Sequence, residues 1–173
     1  MANNSFKRNL LIILTTLFFL PVNAEDNKNI SEHQYNFYTG NFDFSDHKQK
    51  AILIGFQHQN EKLNRKTFLG NASPITGGFI TENSAAYIYT GVEWNYDMGD
   101  NFIFTPSFTP GLYSEGDGKD LGHILEFKTE IQASYIISEN SSLGMSYNHI
   151  SNASLGDKNP GANSYMFNFL KTF

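Results

Sequence analysis

From Gln34 to Phe173 the chain alternates apolar and polar residues with a period of two, in stretches of about 8 to 14 residues divided by Gly, Asn, Asp and Ser clusters. The stretches predict strands over Gln34–Phe42, Lys50–His58, Lys66–Ile80 with an interruption at Pro74, Ala85–Tyr96, Phe102–Tyr113, His123–Ile137, Ser142–Ser151 and Asn163–Phe173. No helical period competes, and there is no internal repeat or low-complexity tract. In the last stretch Tyr165, Phe167, Phe169 and Phe173 share one face, opposite Ser164, Met166, Asn168, Leu170 and Thr172. In the sixth, Leu125, Phe127, Ile131, Ala133, Tyr135 and Ile137 lie opposite Glu126, Lys128, Glu130 and Gln132. In the fifth, Phe102, Phe104, Phe108 and Leu112 lie opposite Thr105, Ser107 and Thr109.

A soluble sandwich with its apolar faces inward also gives this pattern. Opposite charges laddered along the polar faces instead suit a water-filled or hydrogen-bonded lumen, and Phe173 closes the chain on an aromatic strand, as bacterial outer-membrane barrels end. The expected fold is therefore all-β: an eight-stranded antiparallel transmembrane outer-membrane β-barrel. Closure follows because hydrocarbon cannot satisfy a free strand edge, and eight strands enclose an interior that side chains can fill. Turn lengths agree. Asp97–Asn101 and Ser138–Ser141 are short, as periplasmic turns are, and Ser114–Gly122 and Asn152–Ala162 are long, as outer loops are. The run Ala51–Phe56 is apolar on both faces and fits this scheme less well.

The N-terminus reads as an address. Lys7 and Arg8 precede an apolar run from Leu10 to Leu20, and Val22-Asn23-Ala24 offers a cleavage site. The run is too short for a membrane helix, which needs about 20 residues. Residues 1–24 are expected to be a signal peptide and 25–173 the barrel, with a polar lead-in over 25–33. Export to the bacterial outer membrane follows from the two readings together. Loss of Lys7 and Arg8 moves the net charge from -5 to -7, which offers no general field for nucleic acid. The 173 residues contain no cysteine, which excludes disulfides, thiolate metal sites and a cysteine nucleophile.

Candidate chemistry lies in Leu143–Ser151. Leu143, Met145, Tyr147, His149 and Ser151 share the lipid-side face, so a greasy stripe ends in an imidazole and a hydroxyl. Two residues apart on a strand, their backbones stand about 6.6 Å apart on one side. A serine hydroxyl is a weak nucleophile unless a base such as histidine takes its proton. By itself the pair is a very weak signal and reads first as two interface residues near the outer end of the strand. The following hairpin, however, returns Asn163 beside Ser151 with the same outward parity. Three polar groups then converge on a lipid-facing rim, where desolvation makes them costly without a function. The other histidines, His33, His47, His58 and His123, read as scattered surface residues with no metal-ligand spacing. Gly77-Gly78 reads as a bulge or bend, and Trp94 with Tyr96 as an interfacial belt.

The run His149-Ile-Ser-Asn-Ala-Ser-Leu-Gly-Asp-Lys-Asn-Pro-Gly-Ala-Asn-Ser164 closely resembles the active-site hairpin of the lipid A 3-O-deacylases of the PagL type, and Thr105–Tyr113 looks like that family's fifth strand. The resemblance implies an eight-stranded outer-membrane esterase that removes the 3-O-linked acyl chain of lipid A in the outer leaflet. It implies His149 as base, Ser151 as nucleophile and Asn159 in the oxyanion hole, with backbone N–H groups of Asn152–Ser154 as further donors. No cofactor or metal is implied, the partners are lipopolysaccharide and the membrane, and a homodimer is left open. One position departs from the pattern. The family's third residue, a glutamate, is replaced here by Asn163, which can hold the imidazole but cannot neutralise it. Asp157 in the hairpin is a stand-in of unconstrained position, while Glu126 and Glu130 have the parity of the lumen. Two other readings stay open: a non-catalytic barrel with a vestigial dyad, and an esterase acting on a different acyl lipid.

Overall fold

The computed structural model describes residues 33–46 and 49–173. The signal segment, the lead-in before His33, and His47 lie outside the described residues. The elements are β1 His33–Phe42, β2 Ala51–Asn60, a 3-10 turn Glu61–Leu63, β3 Arg65–Thr67, β4 Gly70–Thr81, β5 Ala86–Trp94, β6 Tyr96–Asp97, β7 Phe102–Ser114, β8 Leu125–Ser138, β9 Ser141–Ser151 and β10 Ala162–Thr172. Each long strand pairs antiparallel with its sequence neighbour. β10 returns to pair with β1, which closes an eight-stranded barrel, and the short strands β3 and β6 only extend β4 and β7 at one end. Segments 43–46, 49–50, 82–85, 115–124 and 152–161 gather at one rim, called upper here, and the described chain ends at the other.

The third expected strand needs correction. The chain reverses at Phe68-Leu69, where Gly70 adopts a φ of 108°, so that Arg65–Thr67 folds back on Gly70–Ala72 rather than running on into β4. Pro74 does not interrupt β4 but sits within it, opposite Val92. On the other side of β4, Ser73 and Pro74 fall between the β3 ladder, which ends at Ala72, and the β2 ladder, which begins at Ile75, so the missing N–H is tolerated there. Gly77 and Gly78 make no bulge either. Both stay in register, and a Cβ on Gly77 would lie 2.5 Å from the Phe56 carbonyl oxygen and 2.7 Å from the Tyr89 hydroxyl. Glycine is needed there for close packing.

In β7 to β10 the faces are as the alternation predicts, and in β1, β2, β4 and β5, where the pattern left them open, the structure decides them. Phe37, Ile54, Ile88, Met145 and Phe167 stand outward and are each more than half exposed, an apolar belt that suits hydrocarbon and not water. Inside, the lower half is polar. Asn36 donates to Gln132 and Asn168, Gln57 donates to Glu93 at 2.9 Å, and Lys128 pairs with Glu130 at 2.9 Å. The upper half is apolar, with Phe42, Leu53, Phe79, Tyr87, Tyr113 and Leu121 buried together. This explains the two apolar faces of β2: Ile52 and Ile54 meet the membrane side, and Leu53, fully buried, enters the upper plug. A filled lumen leaves the outer surface and the rims as the places for chemistry.

Candidate active site

β9 and β10 pair in a register that sets Asn163 opposite His149, Tyr165 opposite Tyr147 and Ala162 opposite Ile150. Period-two geometry then sends His149, Ser151 and Asn163 outward, while Asn148, Ile150 and Ser164 are buried inside. The ring nitrogen Nδ1 of His149 lies 2.9 Å from Asn163 Oδ1. The Tyr147 hydroxyl donates to that same oxygen at 2.8 Å, and Asn163 Nδ2 donates to Ser45 Oγ at 3.3 Å. With its nitrogen directed at Ser45, the amide presents only an acceptor to the imidazole. Nδ1 therefore carries the proton and Nε2 is the basic nitrogen.

The free edge of the ring lies over Gly161, next in chain to the Ala162 that begins β10. A Cβ there would meet His149 Cε1 at 2.9 Å and Nε2 at 3.4 Å. Gly161 also has a φ of 64°, so glycine suits this position both for its backbone and for the room it leaves. Ser151 shares the outward face of His149. Its hydroxyl takes no hydrogen bond among the described residues, so the structure joins His149 to Asn163 but does not close the His149–Ser151 bond. Side chains two apart on a strand stand nearly parallel, and closing this gap needs the ring to lean upward. Catalytic hydrogen bonds are often long before substrate arrives.

The hairpin between β9 and β10 is tied from within. Asn152 is fully buried, and its Nδ2 donates to the carbonyls of Leu121 at 2.7 Å and Lys158 at 2.8 Å. Its backbone N–H donates to Asn159 Oδ1 at 3.0 Å. That bond corrects one expectation: the Asn152 N–H is already used and is not a free oxyanion donor. Asn159 holds the turn with its oxygen and keeps Nδ2 as a donor. Ala153 and Ser154 follow in left-handed conformation, with φ of 51° and 63°. Asp157 is exposed and has no bond to His149, so it is not a stand-in for the missing carboxylate. Glu126, fully buried, and Glu130, paired with Lys128, face the lumen as expected.

Two residues at the site escaped the sequence reading. Asp43, buried at the end of β1 with a φ of 48°, accepts from the Asn163 backbone N–H at 3.3 Å and from Ser45 Oγ at 3.2 Å. The Phe44 N–H donates to the Asn163 carbonyl at 3.0 Å, pinning the loop to β10. Barrel closure was the signal that could have found them, since it sets β1 beside β10. Below the polar group, Phe44, Tyr147 and Tyr165 cluster, with ring centroids 4.4 Å apart for Phe44–Tyr165 and 5.2 Å for Tyr147–Tyr165. The histidines are also less scattered than expected. His33 Nδ1 and His58 Nε2 lie 2.9 Å apart at the lower rim, far from this site. Among the described residues no cluster of three or more His, Asp or Glu could hold a metal.

The model of the lipid A 3-O-deacylase (PagL) family matches residues 37–172. The chain belongs to that family. Among solved structures it is similar to one described as the outer membrane enzyme PagL, with a TM-score of 0.64 and 18% identity, over 81% of this chain and 99% of that one. A de novo designed transmembrane β-barrel matches with a TM-score of 0.59 and 9% identity, over 84% and 98%. Neisserial surface protein A matches with a TM-score of 0.56 and 10% identity, over 82% and 96%. These likenesses are of fold: a designed barrel scores nearly as well as a natural enzyme. Among curated proteins none matches the sequence.

Proposed function

We propose that this protein, exported and embedded in the bacterial outer membrane, is an esterase that hydrolyses the 3-O-linked acyl chain of lipid A through Ser151, His149 and Asn163. The observation that carries the proposal is the 2.9 Å bond from His149 Nδ1 to Asn163 Oδ1 on the membrane side of the upper rim. A hydrolase of a lipid already in the leaflet needs its nucleophile outside the barrel, at the depth where acyl chains meet sugar. In this reading His149 Nε2 takes the proton of Ser151 Oγ, which attacks the ester carbonyl. The tetrahedral oxyanion is held by Asn159 Nδ2 and the N–H groups of Ala153 and Ser154. Collapse breaks the bond to the sugar oxygen, which receives the proton from Nε2. Water, activated by the same nitrogen, then releases the 3-hydroxy fatty acid and restores Ser151.

Ser151→Ala is the direct test. Expressed in a lipopolysaccharide-producing host, it should fold and leave lipid A at its starting mass, while the wild-type protein removes one acyl chain. Equal removal by both would reject the assignment. Asn163 favours a second reading, since it stands where the family has a glutamate and leaves the imidazolium without a carboxylate partner. That reading is a barrel with a vestigial dyad. Asn163→Glu separates the two: hydrolysis that rises in the variant marks a tuned triad, and folded but inactive forms of both proteins mark a scaffold.

A further inference from the structure

We infer that Asp43 and Ser45, on the loop after β1, are positioning residues that act on His149 through Asn163, in the place of the carboxylate the triad lacks. The inference deepens the proposed esterase function and rests on it. An asparagine is a poor third member for a plain reason: its amide can turn over and present Nδ2 to the ring, and two donors would then face each other. A glutamate has no such failure, because both its oxygens accept. In this chain the amide is held from both ends. Tyr147 donates to Oδ1 at 2.8 Å, and Ser45 Oγ accepts from Nδ2 at 3.3 Å. Ser45 in turn donates to Asp43 Oδ1 at 3.2 Å. The same carboxylate oxygen accepts the Asn163 backbone N–H at 3.3 Å, so it grips both ends of the residue that grips the ring.

The result is a continuous hydrogen-bonded path from the imidazole to a carboxylate: His149 Nδ1, Asn163 Oδ1, Asn163 Nδ2, Ser45 Oγ, Asp43 Oδ1. Each link has one sense. Asp43 accepts only, which obliges Ser45 to donate to it and to offer a lone pair to Nδ2; Nδ2 directed at Ser45 leaves Oδ1 for Nδ1–H. Asp43 is itself held. It is buried, and its other oxygen binds the Lys119 ammonium, which also lies 3.7 Å from Asp46 Oδ2. The carboxylate thus sits two side chains from the ring, with part of its charge compensated. On this geometry its effect on the imidazole is orientational more than Coulombic.

Ser45 is the residue to change, because it is exposed and its loss leaves the Asp43–Lys119 pair and the barrel intact. Kinetics are read on purified protein in detergent micelles with lipid A as substrate. Ser45→Ala should lower kcat about five- to tenfold with KM unchanged, the size of one positioned hydrogen bond. Ser45→Thr keeps the hydroxyl and should restore at least half of the rate. In an Asn163→Glu background, where no amide needs orienting, the Ser45→Ala effect should shrink below about twofold. The inference is overturned by an unchanged kcat in Ser45→Ala, by a change confined to KM, by failure of Ser45→Thr to rescue, or by an equal loss in both backgrounds. A measurement independent of turnover is the exchange of the His149 Nδ1 proton with water by NMR, expected to be faster in Ser45→Ala; an unchanged exchange also overturns it. If Ser151→Ala remains active, the esterase assignment itself has failed. If Ser151→Ala is dead while Ser45→Ala is normal, only this inference has failed.

Discussion

Gly161→Ala tests whether the imidazole must stay where the structure puts it. The added methyl carbon would stand 2.9 Å from His149 Cε1, 3.3 Å from the Ile150 carbonyl oxygen and 3.4 Å from His149 Nε2. The one backbone neighbour, the Ile150 carbonyl oxygen, is crowded only slightly and is held in the sheet, so the ring, which supplies the other two contacts, is the part that gives. Restoring about 3.4 Å to Cε1 moves the ring by roughly half an ångström, away from the hydroxyl it has to reach. A misplacement of about 1 Å at a reacting group costs on the order of 10²-fold in rate, so half of that predicts a loss of about tenfold in kcat. The backbone adds its own effect. At a φ of 64°, alanine in place of glycine costs about 1 kcal/mol of stability. Heat-modifiable mobility on gels reports the folded barrel, and release of 3-hydroxy fatty acid in micelles reports the rate. Folded Gly161→Ala protein that hydrolyses at the wild-type rate would refute the claim that His149 works from this position.

Asn152→Ala should remove the two bonds to the Leu121 and Lys158 carbonyls and destabilise the 152–161 hairpin by about 2 kcal/mol, seen as faster proteolysis there with the barrel still intact. The same variant should lose activity along with hairpin order, and an unchanged cleavage rate would sink the idea that this side chain ties the loop. Asp120 lies on an outer loop, where the hydrogen bond from the Lys158 ammonium, and next the Gly122 N–H, hold its carboxyl below the ordinary carboxylate range. A lowered value in the folded state means that the tie is present above about pH 4 and fades as pH falls through the folded value. Protection of the Gly122 amide, taken against its intrinsic exchange rate at each pH, should therefore fall as pH drops through the folded value, and Asp120→Asn should abolish that change; constant protection in the wild-type protein would contradict it.

The strands and their faces could be read from one chain because period two is a local property. Each residue's side of the sheet follows from its neighbours at one and two positions, and Phe102, Met145 and Phe167 lie outside as the alternation requires, whereas the outward faces of Phe37, Ile54 and Ile88 came from the structure. The hairpin from His149 to Asn163 was equally accessible, since a single turn joins its two strands and parity alone sends His149, Ser151 and Asn163 to one face. Other features depend on residues far apart in sequence. Ala51–Phe56 looks irregular as a strand and becomes regular once the upper lumen is seen to be apolar, a fact contributed by Phe42, Phe79, Tyr87 and Leu121 from other strands. Where β4 begins was hidden because a three-residue strand, Arg65–Thr67, has too few positions to show a period. The pairing of His33 with His58 needs the β1–β2 register, and the grip of Asp43 and Ser45 on Asn163 needs β1 to lie beside β10. Alternation carries which way a side chain points, whereas only ring closure brings the first strand to the last, and it is there that the orientation of the Asn163 amide is set.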